Sequence, residues 1–239
     1  DEPQYLMVAE SLRRDHDFAL DQDFAEERYR EFYSRKLEPH FRIRGPEGQI
    51  YSLHAVGLSL LILPAWTLGG YPGVSLFMAF LGALLVREIR RLLQAVTGES
   101  ATAEGLAWML GLCPPLIHFA GLVFTEIPAA LLVAAGLRSA AFARRGRGPV
   151  IAALCAAALP WFNVRYGILS VAIAAALVVR VGRGEEGGRR LVSRARFLLA
   201  PGLVALASAL ALCVFHYSLW GFFDPRRVYG RSREFSLSI

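Results

Sequence analysis

Among the many groups in this chain that can move a proton or grip a phosphate, Asp1, Glu2, Tyr51, His54, Glu126 and Arg165 stand out by their sequence setting. Glu126 sits in Phe124-Thr125-Glu126-Ile127-Pro128, with apolar residues on both sides. A carboxylate beside an apolar helix is costly and usually faces a cavity or a partner. Its ordinary alternative is to complement a helix N-terminal dipole, with Pro128 in the first turn. Asp1-Glu2 stands directly before Pro3 and a periodic segment, where an acidic N-cap is the competing explanation. His54 closes the stretch Tyr51-Ser52-Leu53-His54 and serves equally well as a hydrogen-bonded structural residue. Arg165, in Trp161-Phe162-Asn163-Val164-Arg165-Tyr166, either holds a phosphate through its planar fork or snorkels to an interface. His118, Trp108 and Trp220 read as packing or interface residues, and His16, His40 and His216 carry no neighbouring pattern. P-loop, dinucleotide, zinc-protease and nucleophile-elbow motifs do not occur.

The elements that must position these groups are apolar on every face. Residues 1–52 form a polar preface, and 55% of the chain is apolar. The apolar residues gather in seven runs: Leu53–Gly69, Val74–Leu93, Gly105–Val123, Ile127–Ala143, Val150–Phe162, Tyr166–Val181 and Phe197–Leu219. Such runs suit lipid-facing or bundle-core helices, since backbone in lipid must satisfy its own hydrogen bonds. Between the apolar runs arginines fall in three clusters, 87–91, 138–147 and 180–196, while Arg226, Arg227, Arg231 and Arg233 of the tail fit an orientation signal less well. With those clusters cytoplasmic, runs two to seven alternate as six crossings, and residues 119–126 and 161–166 face outward with Arg165. The first run contains Pro64 and Trp66 and ends in Gly69-Gly70-Tyr71-Pro72-Gly73 without a basic residue. It reads as a re-entrant or interfacial helix over 53–70, which leaves the preface on the outer face. The expected organisation is an outward loop at 1–52, that helix, a six-helix bundle over 71–220, and the start of another outward loop at 221–239.

Within the preface, Tyr5, Val8, Ala9 and Leu12 share a helical face, and Asp23 to Leu37 repeats the idea with Phe24, Phe32 and Tyr33. Both are expected as amphipathic helices on a bilayer surface. Gly45-Pro46-Glu47-Gly48 reads as a turn, in the manner of a short hairpin. Cys113, Cys155 and Cys213 all lie in apolar runs and serve as small packing residues. The net charge of +6 belongs to arginines at run ends, so it reads as orientation rather than nucleic-acid binding. The polar opening at Asp1 leads us to expect a piece of a longer polytopic protein.

The order of these features resembles a known family. An acidic pair opens an outward loop with two surface helices, a Tyr-x-x-His leads into an apolar Gly/Pro-containing segment, and an acid starts a later helix. This is similar to the GT-C fold of polyprenyl-phosphate-dependent glycosyltransferases, nearest the protein O-mannosyltransferase and lipid A aminoarabinose transferase group. The resemblance spans Asp1 to about Leu219 and is most specific at Asp1-Glu2 and Tyr51–Pro64. It implies a helix just upstream of Asp1, a bacterial inner-membrane location and a site facing the extracytoplasmic side. It implies Asp1 as the general base, Glu2 as its adjacent acid, Glu126 as the later-helix acid, and Tyr51, His54 and Arg165 as substrate-binding residues. The donor would be a sugar on a polyprenyl phosphate, with membrane lipids around it, and any divalent metal would sit at Asp1 and Glu126. The Glu where family members often carry Asp leaves metal dependence open.

A transporter or flippase is the rival class, with intramembrane acids relaying protons or binding substrate. Such a protein should place broken helices and charge at the midplane, often with inverted repeats. Here the charges cluster at one face and no repeat is evident, which favours the enzyme. A non-catalytic membrane subunit of the same fold is a third reading.

Overall fold

A computed structural model describes residues 1–142, 147–182, 191–224 and 227. The basic breaks at 143–146 and 183–190, and most of the expected outward tail 221–239, lie outside the described residues. Among the described residues every regular element is helical. In chain order they are α1 (Glu2–Arg14), α2 (Asp21–Ala25), α3 (Gly57–Thr97), α4 (Ser100–Leu112), α5 (Leu116–Ala120), α6 (Glu126–Phe142), α7 (Gly148–Phe162), α8 (Gly167–Gly182) and α9 (Leu191–Trp220). Single 3-10 turns cover Arg28–Glu31 and Val164–Tyr166.

Among the described residues, three segments are long and apolar enough to cross a membrane: Gly57–Thr97, Val164–Gly182 and Leu198–Trp220. The 15 residues of α7 are apolar but span only roughly 23 Å, less than the ~30 Å hydrocarbon core. In α3 the helix breaks at Gly70, whose φ of 55° and ψ of −147° lie outside the helical region. A Cβ on Gly73 would lie 2.6 Å from the Ala65 carbonyl oxygen. Eight residues of straight helix would separate those positions by about 12 Å, so the chain turns sharply there. Leu58 and Ile62 before the break share one core with Val74, Met78 and Leu81 after it.

The third apolar run does not form one helix. It divides into α4 and α5, because Pro114 and Pro115 lack the amide hydrogens a continuous helix needs and their rings clash with the preceding turn.

The preface also departs from its sequence pattern. Every residue from Gln4 to Ser11 is buried, so α1 is part of the core rather than a helix lying on a surface. Its buried polar side chains are engaged, apart from Gln4 Oε1, which has no partner among the described residues. Gln4 donates to the Glu38 carbonyl at 2.8 Å, Ser11 to the Ala19 carbonyl at 3.2 Å, and Glu10 accepts from Trp66 at 2.7 Å. The expected helix over Asp23–Leu37 is reduced to the end of α2 and the Arg28–Glu31 turn. Arg28 points inward, where Asp15, Asp23 and Glu26 surround its guanidinium. Glu27 takes a left-handed φ of 50° to bring it there, which ends the helical path.

The bundle itself packs closely. A Cβ on Gly136 of α6 would stand 2.7 Å from Ile173 and 3.1 Å from Cys155, so α6, α7 and α8 meet on a glycine. Glu88 on α3 is buried and pairs with Arg138 of α6 at 2.8 Å and Arg91 at 2.9 Å. Glu88 lies 17 residues, about 25 Å along the helix, beyond the Tyr71 end of α3.

Candidate functional site

The residues singled out in the sequence gather at one end of the bundle, the end where Gly70 turns α3. Asp1 immediately precedes α1, and its carbonyl receives the Gln4 amide at 2.9 Å. Its side chain makes no capping hydrogen bond. Its Oδ1 instead lies 3.8 Å from His54 Nε2 and 3.9 Å from His40 Nδ1, and the two histidine nitrogens stand 3.3 Å apart. The N-cap alternative for Asp1 is therefore not what its carboxylate does in this structure.

His54 is held by packing. Its ring lies 5.0 Å from Tyr5 and 5.6 Å from His40, centroid to centroid. Burial, with the neighbouring His40 acting in the same direction, pushes its pKa down to about 4, so the ring is neutral at ordinary pH. Asp1 and His40 are about half exposed, which leaves the cluster open to solvent on one side.

His40 is the residue sequence reasoning missed. No motif surrounds it, and the Gly45–Gly48 turn signals only a reversal of the chain. That turn closes with Gly45 donating to Gln49 at 2.9 Å, and Leu53 donates to the His40 carbonyl at 2.7 Å. The turn sends the chain back on itself, and the Leu53 bond brings residue 40 beside residue 54 without a regular strand ladder between the two arms.

Glu2 ties elements together. Its Oε1 accepts from the Tyr71 hydroxyl at 2.7 Å and its Oε2 from the Val123 amide at 3.2 Å. It thus joins the start of α1 to the turn in α3 and to the loop before α6. Glu126 is exposed at the first turn of α6, and among the described residues no hydrogen bond or ion pair engages its carboxylate. It is not part of the Asp1–His40–His54 cluster. Its neighbour Thr125 shares a 3.0 Å hydrogen bond with the Tyr166 hydroxyl, so the start of α6 adjoins the turn that carries Arg165. That turn is shaped by Asn163, whose side chain accepts from the Arg165 amide at 3.0 Å. The Arg165 side chain is exposed.

Tyr51 stands apart from the cluster. Its ring packs edge-on against Trp220 at 5.7 Å, and burial raises its pKa. It anchors the loop to the end of α9 and makes no contact with Asp1.

A narrow cleft, about 20 Å³, lies beneath His54, walled by Pro160, Trp161, Val164, Phe215 and Trp220. An apolar groove of about 350 Å³ runs between α7, α8 and α9, lined by alanines with Pro160 and Leu212 at one end. Pro160 and Leu212 also line the cleft, so groove and cleft adjoin. Chemically, this end of the bundle offers a solvent-facing carboxylate, a neutral imidazole and an exposed guanidinium beside an apolar groove.

Comparison with protein-family models, with curated proteins and with solved structures gives no match to this chain.

Proposed function

We propose that this chain is a polytopic membrane glycosyltransferase of the GT-C kind, moving a sugar from a polyprenyl-phosphate donor to an acceptor at the extracytoplasmic face of a bacterial inner membrane. The observation that carries the reading is the continuity between an apolar groove and a polar cluster. The groove between α7, α8 and α9 ends at Pro160 and Leu212, and the cleft they share lies under His54, beside Asp1. A lipid with an isoprenoid tail and a charged, sugar-bearing head has that same division.

In this reading the tail lies among the alanines of the groove and the head group emerges at His54. Asp1 takes the proton from the acceptor nucleophile as its oxygen bonds to the anomeric carbon and the bond to the donor phosphate breaks. Arg165 holds the departing phosphate with its planar fork, which neutralises the charge that develops there. Glu2 positions Asp1 by fixing the start of α1 to Tyr71 and Val123. The second half of α3, α4 with α5, and α6 to α9 make six crossings, the bilayer thinning around the 15-residue α7, while Gly57–Gly69 is the re-entrant or interfacial helix.

The test is transfer of radiolabelled sugar from a polyprenyl-phosphate donor by the intact protein in nanodiscs. Asp1→Asn should lower turnover by roughly 10²–10⁴-fold, the usual contribution of general-base catalysis. Folding should be unaffected, because the Asp1 side chain is about half exposed. Undiminished turnover in that variant removes Asp1 as the base. Movement of the intact lipid-linked sugar across the bilayer, without cleavage, would establish the transporter reading in place of transfer.

A further inference from the structure

We infer that Asp1, His40 and His54 form a binding site for one divalent transition-metal ion, zinc by preference. The inference stands on side-chain geometry and rests on the glycosyl-transfer reading only for what the ion would do.

Three ligand atoms of the right chemistry converge from three separate parts of the chain. Oδ1 comes from the start of α1, Nδ1 from His40 in the hairpin, and Nε2 from His54 just before α3. Their mutual separations are 3.3, 3.8 and 3.9 Å. A point equidistant from three atoms so placed lies about 2.1 Å from each, in their plane. That is the zinc–imidazole and zinc–carboxylate bond length, ~2.0–2.2 Å. Tetrahedral bonds of that length set neighbouring ligand atoms about 3.4 Å apart. The two histidine nitrogens already meet this spacing, and the exposed carboxylate closes it with a shift of roughly half an ångström.

The donor set also selects among metals. Two imidazoles with one carboxylate suit zinc and its transition-metal neighbours, whereas magnesium and calcium demand oxygen ligands. Three protein ligands with one open side is the pattern of a reactive zinc site rather than a closed structural one. The open side is the one Asp1 and His40 present to solvent.

These ligands differ from the Asp1–Glu126 pair expected from the sequence. Glu126 lies outside the cluster, so the ion would be held entirely by the chain ahead of α3. Bound there through Asp1 Oδ1, it would leave Oδ2 to take the acceptor's proton and would supply positive charge beside the His54 cleft, where the donor phosphate is expected. It would also lock the hairpin to α1.

The intact protein, purified in detergent, stripped with chelator and titrated with Co²⁺, provides the test. The expected result is one cobalt per chain with tetrahedral d–d absorption, displaced by Zn²⁺ and unaffected by Mg²⁺. His40→Ala and His54→Gln should each weaken binding by at least about 100-fold, since even residues behind a metal ligand typically matter 10–100-fold. His16→Ala should leave affinity unchanged. His40 is about half exposed, so His40→Ala is expected to remain monodisperse and folded, which keeps a binding loss interpretable. Sub-stoichiometric cobalt, or full affinity retained in His40→Ala, would overturn the site and leave a simple His40–His54 hydrogen bond. Cobalt binding without sugar transfer would uphold this site and count against the glycosyltransferase reading, whereas transfer by a protein that takes up no cobalt would uphold that reading and overturn the site.

Discussion

Glu10 shows how one side chain fixes the position of the whole preface. Its carboxylate is buried on α1, yet it accepts from the Trp66 indole at 2.7 Å and from Arg13 at 2.7 and 2.9 Å, with Arg14 also paired to it. Burial works against its charge, but the hydrogen bonds from Arg13 and Trp66 and the charges of both arginines hold its pKa below the usual carboxylate value. A native pKa below the unfolded value of 4.5 means the unfolded chain binds more protons just below that pH. The stabilisation is therefore complete above about pH 4.5 and is lost as pH falls toward the depressed native value. His54 acts in the same direction over a higher window. Its pKa falls from 6.5 to about 4 on folding, so the unfolded state takes up its proton first as pH drops through that range. Glu10→Gln should lower stability by roughly 1–3 kcal/mol at neutral pH, because the Trp66 and arginine hydrogen bonds to a charged acceptor are lost or weakened. Unfolding midpoints from pH 3.5 to 7 should fall less steeply at the acid end in the variant than in the wild type. A parallel pair of pH profiles would refute the linkage. None of this was visible in the sequence, where Glu10 is one acid in a polar stretch and Trp66 lies 56 residues away. Asp1, Glu2 and His54 are legible because chemistry-bearing residues stand beside periodic or apolar segments, whereas lone His40 is placed only by its tertiary contacts with Leu53 and His54.

At the scale of elements, the chain announces its breaks through glycine and proline more clearly than its helix lengths. Gly69-Gly70-Tyr71-Pro72-Gly73 marks the turn inside α3, and Pro114-Pro115 marks the division of the third run into α4 and α5. The first was read from the sequence, while the second was passed over because hydropathy stays high across the prolines. The α1 pattern misled for a different reason. Its polar residues look solvent-facing until Glu38, Ala19 and Trp66 supply their hydrogen-bond partners, which only tertiary contacts reveal. Gly70 is the element-scale position that a substitution should test. Its φ of 55° with ψ of −147° is a region open to glycine and strained for other residues, at a cost of order 1–3 kcal/mol. No atom crowds a Cβ there, so Gly70→Ala reports backbone strain alone. The variant should lose about that much stability in denaturant or thermal unfolding, with the apolar core otherwise unchanged. An unaltered midpoint would mean that the turn at Gly70 relaxes in solution.

Over the whole molecule, charge is separated along the bundle. Asp1, His54 and the Arg165 turn share one end, while Glu88, Arg91 and Arg138 join near the other, about 25 Å further along α3. Two ionic groups that far apart on a helix pair span most of a ~30 Å hydrocarbon core, which is why the bundle can set them against opposite interfaces. The fold as a helical bundle with membrane-length segments follows from the apolar runs themselves. The assignment of faces follows only from arginine placement, and many of those arginines fall in the breaks beyond the described residues. Accessibility labelling addresses that assignment directly. In a background where Cys113, Cys155 and Cys213 are replaced by Ala, single cysteines at Gln49, Glu126 and Glu99 would be probed with a membrane-impermeant maleimide. Gln49 belongs to the hairpin, Glu126 to the start of α6, and Glu99 to the exposed connection between α3 and α4. Gln49→Cys and Glu126→Cys should react from the extracytoplasmic side in intact cells, and Glu99→Cys only after the membrane is opened. Reaction of Gln49→Cys and Glu126→Cys from opposite sides would separate Asp1 from the α6 end that Glu2 and Thr125 join to it. A single active site drawing on both would then be impossible.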